Sequence, residues 1–117
     1  MPYMLLIIEP IGQREARTEE EGRQAYAVMR RFADELAGQG LLVSAESLAS
    51  QQGAARVQQR GGKAQVIDGP FAEAKEMIGG FFLLNCQTRE EAVAIAQRCP
   101  AAEWATVEVR SLAPCYE

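Results

Sequence analysis

The chain has 117 residues, 48% hydrophobic and 24% charged, which suits one domain spanning residues 1–117 with enough apolar side chains for a core. A net charge of −4 argues against nucleic acid as the main partner, since phosphate binding needs a basic footprint. There is no histidine, which removes His general bases, Ser–His and Cys–His pairs and His metal ligands, and leaves acid–base work to carboxylates, Lys, Tyr or a thiol.

Residues 3–8 form an unbroken apolar run of strand length, the pattern of a strand covered on both faces. The run has no basic flank or cleavage site and is far short of the ~20 residues of a membrane span, so no targeting or membrane segment is expected. Residues 9–17 read as a loop. Thr18 precedes Glu21 at capping-box spacing and opens a helix of roughly five turns. Its buried stripe is Ala25, Val28, Met29, Phe32, Ala33 and Leu36, and Gly38 and Gly40 supply stop signals.

A second strand follows over 41–48, with Leu41, Val43 and Ala45 on one face and Leu42, Ser44, Glu46 and Leu48 on the other. Segments 56–60 and 63–67 flank Gly61-Gly62, a dipeptide suited to a tight hairpin, and their polarity places them at an edge. Residues 79–86 make another apolar strand. Thr88 and Glu91 repeat the capping-box spacing before a helix burying Ala92, Ile95, Ala96 and Cys99, which Pro100 ends. Residues 105–112 alternate as a last strand. Without the hairpin the order is βαββαβ, an α+β ferredoxin-like sandwich with both helices on one sheet face. Two helices cannot cover the other face, and a second copy of the chain would, so a homodimer is expected with a cleft shared between subunits.

The three cysteines, Cys86, Cys99 and Cys115, lack metal or disulfide spacing and read as reduced cytosolic thiols; no metal or cofactor is expected. Chemistry concentrates instead in residues 68–84. An Asp68-Gly69-Pro70-Phe71 turn leads to Glu73, Lys75 and Glu76, then to Gly79-Gly80 opening an apolar strand. Charged groups beside backbone that needs Gly and Pro suggest a site held by a rigid turn. Asp68 is either a general base or a turn residue bonded to backbone amides, and Glu76 a proton-exchanging partner or a solvated charge. Lys75 either binds an anionic ligand group or sits on the surface. Glu108 and Arg110 share a strand face, and with Glu46 they would either orient a polar ligand or hold strands in register. Gly69, Gly79 and Gly80 serve backbone geometry or close approach, without phosphate-loop spacing. Tyr3, Tyr26, Phe81, Phe82 and Trp104 read as core or cavity wall.

This sequence resembles the YCII-related family, in particular its DGPF branch. The resemblance rests on Tyr3-Met4-Leu5-Leu6-Ile7, on Glu46 and Leu48, and on Asp68-Gly69-Pro70-Phe71 with Glu73, Lys75-Glu76 and Gly79-Gly80. Cys99-Pro100-Ala101 and Val107-Glu108-Val109-Arg110 complete it. It implies a cytosolic dimeric α/β barrel with a small-molecule site between sheet and partner. For some members it also implies a catalytic His–Asp pair or a dehydrochlorinase activity. Here the Asp is present as Asp68 and the His is not. In the DGPF branch the resemblance further implies association with sigma factors. The leading expectation is a dimeric small-molecule-binding protein. Its rivals are a lyase or hydrolase using Asp68 or Glu76 as base, and a protein-docking module without pocket chemistry.

Overall fold

A computed structural model describes residues 2–117. Strand β1 (Tyr3–Pro10) leads through a single-turn helix α1 (Gln13–Ala16) into the long helix α2 (Glu19–Gly38). Strand β2 (Leu42–Ser47) follows, then the hairpin β3 (Ala55–Arg60) and β4 (Lys63–Asp68). Strand β5 (Glu76–Leu84), helix α3 (Arg89–Arg98) and strand β6 (Thr106–Ser111) complete the chain. The main sheet is antiparallel in the order β2-β5-β1-β6, the ferredoxin-like arrangement. This chain on its own is an open sheet and closes no barrel.

Both expected helix starts are present. Thr18 and Glu21 form a full capping box at α2, and the Thr18 Oγ1 accepts from the Glu21 N–H at 3.1 Å. Thr88 caps α3 by the same bond to Glu91. Helix α2 buries Phe32 and Leu36, and Phe32 meets Phe82 edge-on at 5.5 Å between ring centres. Helix α3 buries Ala92, Ile95 and Ala96. Against them lie Leu5, Ile7, Phe82 and Leu84 of the two central strands. That face of the sheet holds the core.

Three local expectations change. Residues 9–17 are not a loop, because β1 runs on through Glu9 and Pro10 and α1 follows. In β2 the alternation breaks: Leu42 pairs with Leu84 and Ser44 with Leu83, so Val43 bulges out and is 59% exposed. Leu42 therefore shares the helix-side face with Ala45, the reverse of the simple period-two reading. Finally, β3 and β4 do not join the edge of the main sheet but form their own two-stranded sheet, every residue of which is exposed. Gly61 (φ 59°) and Gly62 (φ 79°) make its turn, where both positive φ values favour glycine.

The sheet face away from the helices carries Met4, Leu6 and Ile8 of β1 beside Phe81, Leu83 and Ile78 of β5. Among the described residues no helix packs on them; Met4, Leu6, Ile8, Phe81 and Leu83 are only partly buried, and Ile78 is 47% exposed. The molecule is correspondingly thin, about 18 Å in its shortest dimension.

Candidate functional site

In β1, Glu9 follows Leu5 and Ile7 in the alternation that faces the helices. It is the buried charged residue among the described residues, its side chain 7% exposed. A carboxylate so placed is costly unless paired and hydrogen-bonded. Its partner comes from the next turn of chain. Gly12, at φ 93°, bends the backbone into α1, and α1 lays Arg14 over Glu9. Arg14 Nη2 donates to Glu9 Oε1 at 2.6 Å, and Nε lies 3.2 Å from both carboxylate oxygens. The remaining donors reach the Leu48 carbonyl through Nη1 at 2.8 Å and the Gly79 carbonyl through Nη2 at 3.3 Å. One guanidinium thus ties β1, the chain beyond β2, and β5.

Gly79 explains how this fits. The β1–β5 register passes from Ile7↔Gly80 to Ile8↔Ile78, leaving Gly79 as the extra residue of a bulge. A Cβ at Gly79 would overlap the Glu9 carboxylate, standing 2.8 Å from Cδ and 2.9 Å from Arg14 Nη2. A Cβ at Gly80 would stand 2.8 Å from the Glu46 carbonyl. Both glycines serve close approach.

Above the pair lies a cleft of about 460 Å³ between α2 and the sheet. It exists because its walls are small. Gly22, Ala25 and Ala33 on α2 face Ala45, Gly79 and Gly80 on the strands. A Cβ on Gly22 would meet nothing within 4 Å. Tyr26, Met29, Phe82 and Trp104 supply larger apolar surface, and Arg17 and Arg30 reach the rim. The volume is in the range of small-ligand sites.

Of the candidate site residues singled out from sequence, Glu46, Gly79 and Gly80 line this cleft, while the others lie elsewhere and do not form one constellation with them. Asp68 ends β4 opposite Ala55, is exposed, and among the described residues its carboxylate makes no hydrogen bond, so the expected bond to turn amides is not formed. Gly69 is needed by a close approach, since a Cβ there would overlap the Gln51 carbonyl. Its N–H donates to the Ala54 carbonyl at 2.7 Å, and the Gly69–Pro70 bond is cis. Phe71 lies under Arg56, whose guanidinium carbon is 3.8 Å from the ring centroid. Lys75 is exposed, and its carbonyl accepts from the Ile11 N–H at 2.9 Å. Glu76 opens β5 opposite Pro10 and joins Phe71 and Arg56 in a second hollow of about 420 Å³. Asp68 and Lys75 do not line either space.

Glu46 and Glu108 do share a face. The register aligns Glu46, Phe81, Leu6 and Glu108 in one row across the open side of the sheet. They sit on opposite edge strands, roughly 14 Å apart at ~4.8 Å per strand. Arg110 pairs with Glu108 at 3.3 Å, and both side chains are about half exposed or more. This is a surface ion pair of small energetic weight. Sequence reasoning missed Glu9, Arg14 and the cleft. The available signal was Glu9 itself, an acidic residue in phase with Leu5 and Ile7.

The topology and this helix–sheet cleft define a ferredoxin-like α+β protein. The YCII-related domain family matches residues 1–115. An uncharacterized protein from Rhizobium meliloti (strain 1021) is 33% identical over 119 residues, covering 97% of this chain and 93% of that protein. The chain belongs to the YCII-related family. Among the described residues no helix is long and apolar enough to cross a membrane, and no cluster of three His, Cys, Asp or Glu is placed to hold a metal ion.

Proposed function

We propose that this YCII-related chain binds a small molecule in the cleft between α2 and the sheet, and works as a homodimer paired through its open sheet face. The observation carrying the first part is an unfilled cleft floored by a buried ion pair for which β5 gives up a side chain at Gly79. Stability alone does not call for that arrangement, since hydrophobic residues of similar volume often replace a buried ion pair without loss. Supporting the second part is the apolar, only partly buried set of Met4, Leu6, Ile8, Phe81 and Leu83 on the face away from the helices. The lone hairpin adds to it, because Val57 and Val66 face each other at 65% exposure and an isolated hairpin is marginal in water. A second copy would bury both.

The test is a thermal-shift screen against a metabolite library on wild type, Gly22→Leu and Asp68→Asn. Leu at position 22 fills the cleft without a backbone clash. A ligand of the cleft stabilises wild type and Asp68→Asn and fails on Gly22→Leu. Hits that survive Gly22→Leu and vanish with Asp68→Asn move the site to the hairpin base. That outcome favours the second reading, a lyase or hydrolase with Glu76 as base, whose motivating observation is Glu76 beside Phe71 and Arg56 in the second hollow. Light scattering tests the dimer, and a compact monomer at micromolar concentration sinks it.

A further inference from the structure

Resting on the reading of the cleft as a small-molecule site, we infer that its ligand is a small monocarboxylate with a flat, mainly apolar body, held through its carboxylate by Arg17 beside Trp104. Arg17 is half-buried at the junction of α1 and α2, and its guanidinium carbon lies 5.6 Å from the Trp104 ring centroid. That contact restrains the guanidinium, and the N–H fork at its edge suits a carboxylate. Among the described residues no carboxylate lies within 4.0 Å of Arg17 and no hydrogen bond uses its donors. Its electrostatic neighbour Glu21 is exposed and accepts from the Thr18 N–H, so Arg17 is an oriented cation with no anion in contact, at the wall of a cavity.

The charge balance at this end of the cleft sets the ligand's charge. Glu9 is already neutralised by Arg14. Glu46 borders the cleft as well, but it is exposed and its row with Phe81 and Leu6 turns the side chain to the open side of the sheet. Asp34 also lines the cleft, roughly 22 Å along α2 from its first residue at ~1.5 Å per residue, and Arg30, four residues before it on the same helix, offsets it. Arg17 is therefore the cleft-lining cation that no carboxylate contacts beside Trp104. A monoanion satisfies it, whereas a dianionic phosphate would bring uncompensated charge against an apolar wall. Ala25, Met29, Ile7 and Ala101 provide that wall. A bidentate carboxylate matches the planar fork of a guanidinium better than it matches a Lys point charge.

Trp104 is the single tryptophan of the chain, so its fluorescence reports on this site directly. We would titrate wild type, Arg17→Gln and Gly22→Leu with phenylacetate, phenylacetamide and inorganic phosphate, with calorimetry as a check independent of the fluorophore. Phenylacetate should bind wild type at least about tenfold more tightly than phenylacetamide or phosphate. Arg17→Gln should remove that advantage and leave the amide's affinity unchanged. Equal binding of acid and amide, or an unchanged Kd in Arg17→Gln, overturns the carboxylate inference; if Gly22→Leu still weakens both compounds, the cleft reading survives. Tighter binding of phosphate also overturns it. So does the absence of any phenylacetate binding at millimolar concentration, in which case the cleft reading is decided separately by the Gly22→Leu arm of the thermal-shift screen.

Discussion

Gly79→Ala should be among the most damaging single-methyl additions in this protein, and the reason is electrostatic. Gly79 is not among the glycines with positive φ, so alanine meets no backbone penalty there. The whole cost comes from what the new methyl displaces. It would stand 2.8 Å from Glu9 Cδ and 2.9 Å from Arg14 Nη2, so the pair must separate. Separating a buried pair costs about 3–5 kcal/mol, and we take the lower end because the Arg14 side chain is 29% exposed and recovers some hydration. For 117 residues a loss of about 3 kcal/mol corresponds to a fall in Tm of roughly 12 °C. Urea denaturation gives the free energy and a melt gives the Tm. The control is a double-mutant cycle with Glu9→Ala. Without the carboxylate the methyl has room, and Gly79→Ala should then cost less than about 1 kcal/mol, leaving a coupling of about 2 kcal/mol or more. An equal cost in both backgrounds, or less than about 0.5 kcal/mol in wild type, refutes the argument that Gly79 exists to admit the ion pair.

Gly22→Ala should act in the opposite direction. It replaces a helical glycine where a Cβ meets nothing within 4 Å, and should raise stability by about 0.5–1 kcal/mol, or roughly 2–4 °C, in a thermal melt. Burial pushes the Cys86 and Cys99 thiols up from their ordinary value, while Cys115 is exposed. A disulfide reagent at neutral pH should therefore titrate Cys115 rapidly in the native protein, and Cys86 and Cys99 only after denaturant is added. The Thr18 backbone N–H, then its hydroxyl, holds the Glu21 carboxyl below its usual range. A depressed folded-state value means that the capping box contributes above the unfolded pKa and is lost as pH falls through the folded one. Urea midpoints measured down through the carboxylate range should fall less steeply for Glu21→Gln than for wild type, and parallel curves would contradict the assignment.

The main elements were legible because each is written locally. Thr18 and Glu21, Thr88 and Glu91, and Gly61-Gly62 announce two helix starts and a hairpin with residues that make those turns by their own chemistry. What failed were features set by pairing partners. The bulges at Val43 and Gly79 arise because β2 and β1 must meet β5 in a particular register, and no period in one strand records that. The hairpin was expected at a sheet edge on polarity alone. Polarity says that a strand is wet and does not say beside which strand it lies.

The buried pair beneath the cleft escaped the sequence reading for a related reason. Asp68, Lys75 and Glu76 draw attention because charge stands beside turn residues, but turns lie on the surface and their charges are solvated. Glu9 stands at the end of an apolar run, where a carboxylate reads as the place the strand stops. Extending the alternation of Leu5 and Ile7 by one more step would have turned it inward, and a buried carboxylate demands a cation. Of the nearby arginines, Arg14 and Arg17, only one is consumed by Glu9. The sequence between residues 9 and 17 therefore encodes a buried pair and one unspent guanidinium at the entrance to α2. That surplus, more than the conspicuous turn at 68–71, is what the proposed ligand carboxylate would meet.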